Sequence, residues 1–340
     1  MSQIEEPFQS LLDNLADGEA PLRAAVLYRL SEPASEELAL FKAQWPAIPV
    51  ERKQTLLTRM VESSESNFEL DFSQVARFTL HDPDPEVRVQ SIGALWTSEQ
   101  PEDMYALIDL LHHDPLVNVQ AACAEALGSY VLLGELGHLP SSVSSDAELA
   151  LLDVVHQDQP GSDVYCRALE SLAYSSHHEI ADLIAAIAQT TNVKLRATAI
   201  LAMGRNSDSR WQPIVLAGLS DAEPTVRFEA VRAAGEMGLT SAVAELIRAA
   251  RDSSDREIQE MAIWSLGEIG GEDAQSALVA LANSTSDEAL QEVIEDAVSM
   301  ATLSLGDFGM YVMAPEDDDE LMLEDLEGLD TDDGDTPDAP

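Results

Sequence analysis

A phrase that recurs every 31 or 32 residues constrains this chain more than any other feature. Residues 82–96 read DPDPEVRVQSIGALW, and close relatives of that phrase start at Asp114 (DPLVNVQAACAEALG) and Asp221 (DAEPTVRFEAVRAAGEMG). Weaker copies start at Asp252, Asn192 and Asp17. The apolar residue just before the Arg-like position serves as a ruler. Val87, Val119, Val164, Leu195, Val226, Ile258 and Leu290 follow at steps of 32, 45, 31, 31, 32 and 32 residues. Leu22 lies 65 residues before Val87, with an intervening copy at Glu51–Ser63, so nine copies are expected. A period of this length identifies a stack of small structural units.

Each copy predicts two helices. Before each Asp lies an amphipathic stretch such as Asp103–His113 or Ser241–Arg251, with apolar residues three and four apart. After it, the ruler residue is followed at +4, +7 and +8 by small or apolar residues, as in Val226, Ala230, Ala233 and Ala234. Those offsets fall on one helix face. Asp, Pro and Ser between the helices suit the N-cap and first turn. Gly128, Gly204, Gly238 and Gly270 are expected to end the second helix of their copies. One helix pair cannot bury its apolar face alone, whereas stacked pairs can. The expectation is an all-α, right-handed α-solenoid of about nine two-helix units over residues 1–302.

The pattern Asp-x-x-x-x-Val-Arg followed by Ala-x-x-Ala-Leu-Gly, nearly intact at Asp82–Leu95 and Asp221–Gly235, resembles the HEAT-repeat family. The likeness is to its short bacterial, phycobilisome-lyase-like form. It implies an α-solenoid and says little of activity, because fold does not fix function. Two stretches leave the pattern. About thirteen extra residues within 129–148 are expected to form a protruding loop. Residues 303–340 form an acidic tail, expected to be disordered when free.

Charge narrows the partners. The chain holds 63 acidic and 18 basic residues, a formal charge of −45, so duplex nucleic acid and anionic membranes are repelled. The tail contributes 14 of the acids and no Lys or Arg. Its Leu321, Leu323, Leu326 and Leu329 alternate with acids, which suits a solubilising terminus, a short motif that orders on a basic or apolar groove, or a segment that competes for the solenoid's own partner site. No stretch is long and apolar enough to span a membrane, and MSQIEEPFQS lacks the features of a signal peptide. With Cys123 and Cys166 as its two cysteines, a cytoplasmic setting is expected. Only 3 of the basic residues are Lys, a bias that would also fit adaptation to salt.

Catalytic signatures are weak. Arg23, Arg88, Arg196 and Arg227 begin second helices, and Asp17, Asp82 and Asp221 stand six residues before three of them. A turn-to-helix ion pair repeated along the stack explains these better than a phosphate-reading stripe. His81 and His113 share one repeat position at a helix C-terminus, where His suits the dipole. His178–Glu179 begins HEIAD, which lacks the second His of a zinc-protease motif. Cys123 and Cys166 sit at different repeat offsets and read as packing residues. DFG at Asp307–Gly309 and DTDDGD at Asp330–Asp335 lack the other elements of a kinase or an EF-hand.

The expectation is a non-catalytic scaffold or adaptor that binds a protein or peptide, with no cofactor and no metal. The partner would offer a basic contact surface to so acidic a chain. The alternative implied by the resemblance is a HEAT-like enzyme or enzyme-associated subunit, akin to the bilin lyases or the deoxyhypusine hydroxylases. The candidate contact patch lies at second-helix offsets +2, +3 and +6. There the seventh and eighth copies carry Phe228, Glu229 and Arg232, then Glu260, Met261 and Trp264. Aromatic, Met and Arg side chains are enriched in interface cores. The competing reading packs Phe228 and Trp264 between adjacent copies or under the C-terminal tail.

Overall fold

The computed structural model describes residues 7–305 apart from residue 19. Eighteen α-helices follow one another among the described residues. The first six are α1 (Phe8–Ala16), α2 (Ala24–Leu30), α3 (Ser35–Gln44), α4 (Val50–Ser66), α5 (Ser73–Thr79) and α6 (Pro85–Gly93). Next come α7 (Pro101–His113), α8 (Val117–Glu135), α9 (Ser141–Gln157), α10 (Asp163–Leu172), α11 (His178–Ala188) and α12 (Val193–Asn206). The last six helices of the described residues are α13 (Gln212–Gly218), α14 (Pro224–Glu236), α15 (Val243–Asp252), α16 (Arg256–Ile269), α17 (Gly271–Ser284) and α18 (Glu288–Leu305). No strand occurs among the described residues. From α5 onward each odd helix packs on the next even one, and each even helix packs on the even helix that follows. This is the stacking of an α-solenoid.

The ruler residues form the seam of that stack. Val87, Val119 and Val226 are at most 1% exposed, and Val164, Leu195, Ile258 and Leu290 are also buried. Second helices start where the sequence places caps. The Asp84 carboxylate accepts from the Val87 N–H at 3.0 Å, with Pro85 in the first turn, and Ser162, Asn192 and Asp255 cap α10, α12 and α16 in the same way.

The ion pairs reach one copy further than the sequence spacing suggested. Arg88 Nη1 donates to the backbone carbonyl of Asp82 at 2.9 Å, not to its carboxylate. Its carboxylate partner is Asp114 of the next copy, bound through Nε at 2.7 Å and Nη2 at 3.0 Å. Arg196 likewise reaches Asp221 at 3.2 Å, and Lys53 reaches Asp82 at 2.8 Å. Each Asp uses one oxygen to hold its own turn, as Asp82 Oδ1 does with the Asp84 N–H. Burial pushes the Asp82 carboxyl up. Hydrogen bonds from Lys53, the Asp84 N–H and Trp45 outweigh that push and hold it below the usual carboxylate range. The repeated Asp is therefore a link between copies, and that accounts for its recurrence.

The extra residues at 129–148 are not a protruding loop. Helix α8 runs through Glu135 and α9 begins at Ser141, so the insertion lengthens two helices. Between them Gly137 takes φ 74° and the His138 N–H bonds to Leu133 O at 2.8 Å, a glycine C-cap. SYVLLGE keeps the apolar spacing of the helix before it, and Gly134 packs directly on Ser144. Helix α18 continues to Leu305, and the acidic tail with its leucines, DFG and DTDDGD lies outside the described residues.

Candidate protein-binding face

The even-numbered helices lie side by side, and one repeat offset decides how closely they approach. Nine residues after the ruler stand Gly128, Gly204, Gly235 and Gly267. A Cβ at Gly235 would lie 2.9 Å from Ser265 Cα, and one at Gly204 would lie 2.9 Å from Ala233 Cα. Gly128 meets Ser171 and Gly267 meets Ala297 in the same manner. Hydrogen at this position is what lets neighbouring backbones touch. Gly128 and Gly204 therefore lie inside α8 and α12 as packing residues and do not end them, whereas Gly238 and Gly270, both at φ 61°, do follow helix ends.

The third copy breaks this rule, with Trp96 at the same offset. The fifth copy has the fully buried Ala173 there, and an indole cannot fit where a hydrogen or a methyl does. Helix α6 stops at Gly93, Trp96 turns outward, and a groove of about 390 Å³ opens between α6 and α8. Val89, Ile92, Gly93 and Trp96 line one side, and Ala122, Glu125, Ala126 and Ser129 line the other. Trp96 is 42% exposed and donates its Nε1–H to Ser64 Oγ at 2.9 Å. Beside it Phe68 is 79% exposed, with ring centroids 6.1 Å apart. Two further grooves flank this one. Ala24, Leu27, Tyr28, Glu62 and Ser66 line the first, between α2 and α4. The second, between α8 and α10, shares Ala122 and Glu125 with the Trp96 groove and adds Cys166, Arg167 and Lys194.

The residues expected to form the patch divide into two groups. Phe228 and Glu229 of α14 line a small groove of about 140 Å³ against Asp255, Glu257 and Ile258. Phe228 and Met261 are half-buried against the main core, and Trp264 is half-buried on α16. The charged members are engaged within the chain. Arg232 binds Glu236 at 2.8 Å and lies 3.9 Å from Glu229, and Glu260 pairs with Arg256. Burial, together with Glu170 and Glu236 and against Arg232 and Arg205, pushes the Glu229 carboxyl up to about 7. The more exposed aromatics, Trp96, Phe68 and Tyr28, were not singled out from the sequence. Trp96 carries a signal, because it stands where four other copies have Gly. Phe68 lies between helices and carries none.

Burial pushes both cysteine thiols up, Cys123 most strongly, which keeps them protonated. His156 lies 3.6 Å from Glu179 and His177 lies 3.9 Å from Glu148. Among the described residues no group of three or more His, Cys, Asp or Glu could hold a metal ion. None of the described helices is long and apolar enough to cross a membrane.

No curated protein matches the sequence. Among solved structures, Escherichia coli YibA is similar at 13% identity and a TM-score of 0.40, over 89% of this chain and 99% of its own. Yeast importin-beta (Kap95p) is similar at 14% identity and a TM-score of 0.47, over 86% of this chain and 46% of its own. Human deoxyhypusine hydroxylase is similar at 18% identity and a TM-score of 0.36, over 87% of this chain and 96% of its own. Residues 212–299 match the family model for HEAT repeats. The matched stretch runs from α13 into α18.

Proposed function

We propose that this protein is a non-catalytic interaction scaffold that grips a protein or peptide on the face made by its even-numbered helices. The observation that carries the reading is the run of open grooves on that face, two of which share Ala122 and Glu125. An open track suits an extended macromolecular ligand, whereas small substrates favour enclosed clefts with a few convergent polar groups. A photo-crosslinking residue placed at Ala122, compared with one at Asp109 on α7, tests this in cells that produce the protein. Crosslinks to a discrete protein species from position 122 and not from 109 are the expected result. Equal crosslinking from both faces would count against it. Stoichiometric iron in the purified protein, or covalent transfer of a bilin, would overturn it in favour of an enzyme.

A further inference from the structure

We propose that the α6–α8 groove, with Phe68 and Trp96 at its rim, docks an apolar segment flanked by Lys or Arg from a partner protein. The proposal rests on the scaffold reading and adds to it the place and the partner's chemistry. Four copies close their second helices on glycine, and the third copy opens them on Trp96, so this groove is built by a departure from the repeat. Its floor is apolar, from Val89, Ile92, Ala122 and Ala126. Two neighbouring aromatic rings stand exposed to solvent beside it. Trp is among the residue types that dominate interface energetics, and exposed apolar patches of this kind mark contact sites.

Charge selects the occupant. Residues 60–118 hold twelve acidic side chains, and their two basic ones are Arg77 and Arg88. Arg77 is bound to Asp103 and Arg88 to Asp114, so neither answers the surrounding acids. Glu65, Glu69 and Glu99 are exposed close in sequence to Phe68 and Trp96, and Glu125, which lies 3.6 Å from Arg167, lines the groove itself. This rim repels the chain's own tail, which has 14 acids and no Lys or Arg, and it repels a second copy of a chain at −45. A basic-flanked apolar segment meets both the floor and the rim.

The probe is a fluorescein-labelled amphipathic peptide built only of Leu and Lys, titrated with the full chain at low salt and followed by anisotropy. Two control peptides replace every Lys with Glu, or every Leu with Ser. The Leu–Lys peptide should bind and both controls should lose binding. Phe68→Ala and Trp96→Ala should each weaken it by about tenfold or more. Gly93→Met, which fills the groove without removing an aromatic, should do the same. Raising salt to about 0.5 M should weaken binding further, because exposed charges are screened. Should Trp96→Ala lose its helical circular-dichroism signal, Phe68→Ala and Gly93→Met decide. Parent-like binding by those two variants, or tight binding of the Ser control, would overturn the proposal. Native crosslinks that map to α14 and α16, and not to α6 and α8, would also overturn it while leaving the scaffold reading intact.

Discussion

Replacing Glu229 with Gln should stabilise the protein above neutral pH and leave it unchanged in acid. The Glu229 side chain is 18% exposed, and its Oε2 has no hydrogen-bond partner. Burial, with Glu170 and Glu236 and against Arg232 and Arg205, raises its carboxyl from 4.5 to about 7. A group whose pKa is raised on folding holds a proton in the folded chain that the unfolded chain has released. Its contribution to stability is therefore fully present below about pH 4.5 and is lost as pH rises through about 7. At about 1.4 kcal/mol per pKa unit, the charged carboxylate costs the folded state up to about 3 kcal/mol above pH 7. Gln keeps the shape and removes the charge, and Arg232 keeps Glu236 at 2.8 Å as its partner. Urea unfolding of parent and variant, followed by circular dichroism at about pH 8 and about pH 4.5, isolates this group because the other carboxylates cancel in the difference. The variant should gain up to about 3 kcal/mol at the higher pH and nothing at the lower. A variant less stable than the parent at about pH 8, or a difference independent of pH, would refute the reasoning and make Glu229–Arg232 a net stabilising pair.

Arg88→Ala should cost about 3–5 kcal/mol in denaturant unfolding, because it leaves the buried Asp114 carboxylate unpaired. Adding Asp114→Ala should recover part of that loss, and strict additivity of the two would exclude the coupling. Gly235→Ala should destabilise by about 1–3 kcal/mol, since its Cβ would press on Ser265. Gly93→Ala, whose Cβ would come no closer than 3.8 Å to Val61, should instead stabilise by about 0.5 kcal/mol, and thermal melts of the pair compare them. Iodoacetamide should leave Cys123 and Cys166 unmodified in the folded chain and label both in urea, as read by intact mass.

The helical stack was legible because one apolar face repeats at one spacing. Every ruler residue from Val87 to Leu290 is buried, as are Ala230, Ala233 and Ala234 on the same face. Periodicity encodes a helix's own face and is silent about which residue of the next copy stands opposite. That is why Arg88 was matched with Asp82 in its own copy when its carboxylate partner is Asp114. Glycine has two uses, a left-handed turn and a close approach, and sequence spacing alone does not separate them. Gly238 and Gly270 are the first kind, and Gly128 and Gly204 the second. At 129–148 the Ser, Gly and Pro content suggested a loop, but the apolar spacing before Gly137 belongs to a helix. The second-helix face was readable as a surface at offsets +2, +3 and +6. Gly93, Ala122 and Glu125 from those offsets do line the α6–α8 groove. Its aromatic rim was hidden, because Phe68 lies between helices and Trp96 declares itself only when set beside the glycines of the other copies.

The buried apolar side chains fall into two separate clusters, one running from Phe8 to Val87 and the other from Ala76 to Ala301. In a linear stack the cooperativity of unfolding is carried by the contacts between neighbours, so a thin joint divides the melt. The divide falls at α5 and α6, beside the groove. Lys53–Asp82 lies within it and Arg88–Asp114 carries the connection on to the following copy. The smaller block, built on Phe41, Trp45 and Phe72, should therefore open while the longer stack stays folded, which hydrogen exchange would read as weaker protection before Val87. Whatever docks beside Trp96 would sit at that joint and tie the two blocks into a single unfolding unit.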